Sequence, residues 1–156
     1  MVDMRVGVED PRAQDVLDVQ TAHLAFAREH TPPEDVHALT PTALSAGTLT
    51  VYGARDADGQ LLAIGALQQL DPEHAELKSM HTRASARGQG VGRTLLQHLL
   101  AVAAESGYAR VSLETGTMAA FAPARALYTA AGFAPCPPFG GYWDSPSSVC
   151  MTIRLR

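Results

Sequence analysis

The segment Arg87-Gly88-Gln89-Gly90-Val91-Gly92-Arg93-Thr94 constrains this chain more than any other. It sets glycine at three alternate positions between a strand-like run and the most strongly amphipathic stretch of the sequence. Such glycines remove side chains where a ligand could approach the backbone. A helix beginning at Val91 would aim its free N–H groups and positive dipole end back at the loop. That pairing is a site for a phosphate or pyrophosphate; the other reading is a tight turn needing positive φ. Spacing excludes the commoner phosphate loops. A dinucleotide fingerprint from Gly88 requires glycine where Arg93 stands, and one from Gly90 requires it where Leu95 stands. Neither the Gly-Lys-Ser/Thr ending of triphosphate loops nor a Gly-x-Ser-x-Gly hydrolase elbow occurs.

The pattern on either side supplies the elements. Arg5 to Glu9 alternates like a short opening strand, and Asp10-Pro11 starts a helix running to about Glu29. Thr31-Pro32-Pro33-Glu34 stops it, and Thr40-Pro41 begins a short second helix through Leu44. Thr48 to Arg55 and Leu61 to Leu70 read as strands joined at the hairpin signal Asp58-Gly59, with a third strand from Ala75 to Thr82. After the loop, Val91, Leu95, Leu99 and Val102 form one helical stripe, widened by Leu96 and Leu100 and stopped at Gly107. Ala109 to Glu114 is a strand, and Pro123 to Ala131 a helix closed by Gly132. Phe133 and the run Val149 to Leu155 give late strands around a Pro/Gly/Ser-rich loop. The order βα(α)βββαβαββ predicts an α/β chain with a mixed central sheet flanked by helices, in one domain spanning 1–156.

Composition bounds the function. With 156 residues, 46% of them hydrophobic and 18% charged, the chain can bury one core and is not disordered. A net charge of −4 argues against nucleic-acid binding, which requires a basic face. No apolar run is long enough for a membrane span, and Met1-Val2-Asp3-Met4-Arg5 lacks a signal pattern, so a cytoplasmic protein is expected. Cys136 and Cys150 make no disulfide framework. No His-Glu-x-x-His or paired Cys/His spacing occurs, so no metal site is expected.

Arg87-x-x-Gly90-x-Gly92 resembles the pyrophosphate loop of the GNAT superfamily of acyl-CoA-dependent N-acetyltransferases. Two further features carry the resemblance: the preceding strand end Met80-His81-Thr82, and Ala124-x-x-Leu127-Tyr128-x-x-x-Gly132-Phe133 downstream. Phe121 stands where many members carry asparagine. The resemblance implies a splayed mixed sheet, acetyl-CoA as co-substrate, and an amine acceptor attacked directly in a ternary complex. It assigns coenzyme contacts to Met80, His81, Thr82, Arg87, Gly88, Gln89, Gly90, Val91, Gly92, Arg93, Thr94 and Tyr128. The late loop with Pro138-Phe139-Gly140-Gly141-Tyr142 looks like a bacterial subgroup of undefined substrate.

Acetyl transfer to an alkylamine requires removal of a proton from the ammonium, and the departing thiolate gains from a donor. By resemblance Tyr128 is the donor beside the sulfur; the structural alternative is a core tyrosine. Glu76 is the candidate base, with Glu114 and then His81 as competitors and a Glu76–Lys78 ion pair as the plainer reading. Strand alternation would put Glu76, Lys78 and Met80 on one face and Leu77, Ser79 and His81 on the other. His23, His30 and His37 read as solvated helix-end residues, or as lining of the acceptor pocket. Phe139, Tyr142 and Trp143 read equally as an apolar acceptor wall or as dimer contacts. The expected acceptor is a small-molecule amine, on a monomer or homodimer. A protein amine as acceptor, or a non-catalytic acyl-CoA sensor or scaffold, is the alternative.

Overall fold

A computed structural model describes residues 3–46 and 48–156; Met1, Val2 and Gly47 lie outside the described residues. Strand β1 (Met4–Val8) leads into helix α1 (Gln14–His30) and a short α2 (Pro41–Ala46). Strands β2 (Thr50–Asp56), β3 (Leu61–Asp71) and β4 (His74–Thr82) form an antiparallel meander. Helix α3 (Val91–Glu105), strand β5 (Arg110–Gly116), helix α4 (Ala122–Ala131) and strands β6 (Ala134–Cys136) and β7 (Ser148–Arg154) complete the chain. The element order is the one the sequence pattern implies. Helix α1 begins four residues later than Asp10, because the Asp10 side chain and carbonyl hold residues 12 and 13 in a turn.

The seven strands lie in the order β1-β2-β3-β4-β5-β7-β6, and every pair is antiparallel except β4–β5. Each face carries its own core. On one, Leu95, Leu96 and Leu99 of α3 and Tyr128 of α4 cover Leu67, Leu77, Val111 and Leu113, all buried. On the other, Val16 and Val19 of α1 and Leu44 of α2 cover Val51, Leu61, Ile64 and Ala66. Burying two sheet faces rather than one lets a chain of this length remove most of its aliphatic side chains from water.

The parallel pair is where the sheet opens. β4 and β5 are paired at His74–Arg110, Ala75–Val111 and Glu76–Ser112, after which each strand runs on without the other. A chain of hydrogen bonds clamps the sheet just below this point. Arg110 Nη2 lies 3.1 Å from His74 Nδ1, His74 Nε2 lies 2.7 Å from Ser112 Oγ, and Ser112 Oγ lies 2.8 Å from Thr152 Oγ1. Arginine can only donate, so His74 accepts at Nδ1 and donates from Nε2 to Ser112. Above the clamp β4 bends. Ser79 has φ of 57°, and the β3–β4 register slips between Ile64–His81 and Ala66–Lys78. Such a bulge re-aims every side chain that follows it.

Candidate active site

The bulge corrects the alternation expected for β4. Glu76 and Lys78 share a face, but Met80 leaves it: a Cβ built at Gly65 would fall 2.5 Å from the Met80 sulfur and 2.8 Å from Leu99, so Met80 packs on the α3 side. His81 moves to the α1 side instead, its ring 5.2 Å from that of His23 and 6.2 Å from that of Phe26. One extra residue therefore exchanges the places of Met80 and His81.

The gap between β4 and β5 opens a cavity of about 620 Å³, the size of a small-molecule site. At one end stand Arg87, Gly88, Gly90, Val91, Gly92 and Arg93, and at the other Glu76, Lys78, Glu114 and Tyr142, with Tyr128 and Leu127 on the α4 wall. Of the coenzyme contacts expected from sequence, Met80, His81, Thr82 and Tyr128 also line this cavity, while Gln89 and Thr94 do not. The Gln89 amide is turned to the Ser85 carbonyl, and the Thr94 N–H bonds the Gly90 carbonyl within the helix.

The loop fits a pyrophosphate. Gly88 and Gly90 both have positive φ, 77° and 79°, and the backbone at Gly88 has no atom within 4 Å of where a Cβ would sit. No side chain caps the N-terminus of α3, so the N–H groups of its first turn are left for a ligand. Arg87 is steadied there by its Nε on the Thr82 carbonyl, 3.3 Å away, and by its guanidinium over the Phe26 ring. Phe121 packs against Gly116, where a Cβ would be 2.5 Å from its ring, and meets Phe26 at 5.4 Å.

Glu76 is buried in the sheet face beneath the late loop. Lys78 Nζ lies 3.3 Å from Glu76 Oε2, and the Tyr142 hydroxyl donates to the same oxygen while accepting from Lys78 Nζ at 3.0 Å. Both donors use Oε2, which leaves Oε1 for an incoming group. Tyr142 is thus a partner of the carboxylate and not simply an apolar wall or a dimer contact. Nothing in the spacing could have shown it, since 66 residues separate the two. Burial and the Glu76 charge hold the Tyr142 phenol well above its usual pKa, so it stays a donor. Glu114 Oε2 accepts from Ser148 Oγ at 2.6 Å; burial pushes this carboxyl up, opposed by the Ser148 bond. Tyr128 is buried against Phe133, and burial followed by the Glu114 charge raises its pKa.

Of the three histidines read from the first part of the chain, His30 stays at the partly exposed end of α1 and does not line the cavity, while His23 and His37 are not solvated helix ends. His23 and His37 line the cavity, and His23 Nδ1 lies 3.2 Å from His81 Nδ1. Burial pushes His23 down to about 3 and His81 to about 4, helped by their mutual proximity and by Arg87. Both are neutral at physiological pH. His37 stands edge-on to Tyr142 and Trp143, each at 4.9 Å. Among the described residues no group of three or more His, Cys, Asp or Glu side chains could hold a metal ion. No helix there is long and apolar enough to cross a membrane.

Known proteins resemble this chain in sequence and in fold. Residues 15–133 match the model of the acetyltransferase (GNAT) family. The uncharacterized N-acetyltransferase YsnE of Bacillus subtilis is 41% identical over 97% of this chain and all of its own length. The uncharacterized N-acetyltransferase YedL of Escherichia coli is 40% identical over 85% of this chain and 83% of its own. A provisionally assigned acyl-CoA N-acyltransferase from Klebsiella pneumoniae superposes with a TM-score of 0.81 at 25% identity, over 98% of both chains. An open β4–β5 gap beneath a glycine loop, set in a sheet with this strand order, is thus accompanied by likeness in sequence along nearly the whole chain, and the protein belongs to the GNAT acetyltransferase family.

Proposed function

We propose that the protein transfers an acetyl group from acetyl-CoA to the primary amine of a small molecule, by direct attack in a ternary complex. The observation that carries this reading is one continuous cavity lined both by the glycine loop and by Glu76 and Glu114, with Tyr128 on its wall. The bound thioester supplies the electrophilic carbonyl. Everything else is asked of the chain. The first-turn N–H groups of α3, with Arg87 and Arg93, take the pyrophosphate. Glu76 Oε1 receives the proton of the amine, which at neutral pH arrives as ammonium. Tyr128, kept protonated by its burial, hydrogen-bonds the departing sulfur. The same burial makes it a weaker acid, so its contribution is first that of a donor to developing charge, with the proton following as the thiolate leaves.

The test is an amine panel followed by free-thiol release and product mass. Turnover should require both acetyl-CoA and an amine. Tyr128→Phe should lower kcat by roughly 10²-fold with little change in the KM for acetyl-CoA. A variant within twofold of wild type would remove Tyr128 from the mechanism, and coenzyme binding without thiol release on any amine would leave only a coenzyme-binding protein.

A further inference from the structure

The far end of the cavity carries a pattern that acetyl transfer itself does not need. Three carboxylates line it, from three separate parts of the chain: Asp35 before α2, Glu76 on β4 and Glu114 on β5. Each has one oxygen held by a hydroxyl from the segment 142–148, the end of the late loop and the first residue of β7. Tyr142 donates to Glu76 Oε2, Ser145 Oγ to Asp35 Oδ2 at 2.7 Å, and Ser148 Oγ to Glu114 Oε2 at 2.6 Å. Lys78 is the one ammonium lining this end among the described residues, and it is engaged by Glu76 and Tyr142.

Asp35 is the carboxylate left over. Glu76 serves as base and Glu114 stands beside it, but Asp35 has no part in moving the proton. It is 6% exposed, it lines the cavity, and its Oδ1 is buried with no hydrogen-bond partner. A buried carboxylate oxygen without a donor is costly, and a small turn of the Asp35 side chain toward the cavity lets a ligand bring one. The donor that suits an anion at the end of the cavity where three carboxylates face one ammonium is a cation.

We propose that Asp35 is the specificity-determining residue of the acceptor site and binds a second cationic group of the acceptor, so that the preferred substrate is a diamine or polyamine. This rests on the acetyltransferase reading above. One ammonium of such an acceptor meets Glu76 and loses its proton for attack. The other stays protonated against Asp35, whose orientation is fixed by Ser145. An acceptor carrying a carboxylate in place of the second ammonium meets Asp35 and Glu114 as like charges and is rejected.

Three four-carbon amines test the idea with acetyl-CoA saturating: 1,4-diaminobutane, butylamine and 4-aminobutanoate. In the wild-type protein kcat/KM should be roughly 10²-fold higher for the diamine than for butylamine, well beyond the factor of two from its extra nitrogen, and lowest for the amino acid. Asp35→Asn, which keeps the size and a hydrogen-bond acceptor for Ser145, should bring kcat/KM for the diamine down to the level of butylamine. Ser145→Ala keeps the charge and should keep the ranking. Stabilisation by acetyl-CoA, measured as a thermal shift, should be equal in all variants. Equal rates for diamine and monoamine, a preference for the amino acid, or an Asp35→Asn variant that retains the diamine preference would each overturn the proposal while leaving the acetyltransferase reading intact. If Asp35→Asn does not fold, the wild-type ranking alone decides. Thiol release with none of the three amines would overturn the proposal, and coenzyme stabilisation without release on a wider panel would overturn the acetyltransferase reading with it.

Discussion

Glu76 shows how much a single residue's role depends on what occupies its second oxygen. A carboxylate bonded on both oxygens is a structural anchor; one bonded only at Oε2, by Lys78 and Tyr142, can still take a proton at Oε1. Glu76→Gln keeps the shape and cannot take that proton. With an alkylamine acceptor the rate near pH 7 should fall by roughly 10²-fold and recover in part at high pH, where the free amine is plentiful. A pH–rate series for wild type and mutant checks this; parallel profiles with a uniform loss would make Glu76 a positioning residue and turn attention to Glu114. Glu76 was a candidate base through the family resemblance and its place on a central strand. Its partners were not legible, because hydrogen bonds between β4 and a loop 66 residues away leave no periodicity to read.

Among the elements, helix α3 and the turn of the loop before it were legible because their signals are local, although Gln89 and Thr94 do not line the cavity. The stripe Val91, Leu95, Leu99 is buried as its spacing demands, and Gly90 at φ 79° fills the N-cap position that the pattern left to glycine. Gly90→Val should cost stability at this left-handed position and crowd the approach to the α3 amides. The expected outcome is a folded protein in which the rise in melting temperature on adding acetyl-CoA is strongly reduced. An undiminished rise would show that the coenzyme does not use this loop. Strand β4 was legible only up to Ser79. Alternation predicts faces correctly while the ladder is regular, and a bulge depends on the partner strand, here β3, as much as on the bulged residue. That is why Met80 and His81 were assigned to each other's side.

The two cores, the clamp and the splay belong to the molecule as a whole, and so does its response to acid. His23 and His81 are held neutral by burial, with pKa values near 3 and 4, and His74 is lowered in the same direction. In the unfolded chain all three return to about 6.5. Between roughly pH 6.5 and 4 the unfolded state therefore binds more protons than the folded one, and stability falls as the pH falls through that window. Melting temperature followed across the window should decline, and His23→Gln with His81→Gln should flatten the decline without abolishing it, since His74 remains. A decline of equal slope in the double variant would show that these rings do not carry the effect. The sequence by itself determined the order of strands and helices, the glycine loop and the tyrosine of α4, because periodicity, caps and motif spacing act over a few residues. Only the tertiary structure decided which side of the sheet His81 faces, that Tyr142, Ser145 and Ser148 each hold a carboxylate, and that Asp35 lines the cavity. Those contacts join residues brought together by the splay of β4 from β5, and a splay is a property of two strands and what packs on them, not of either strand alone.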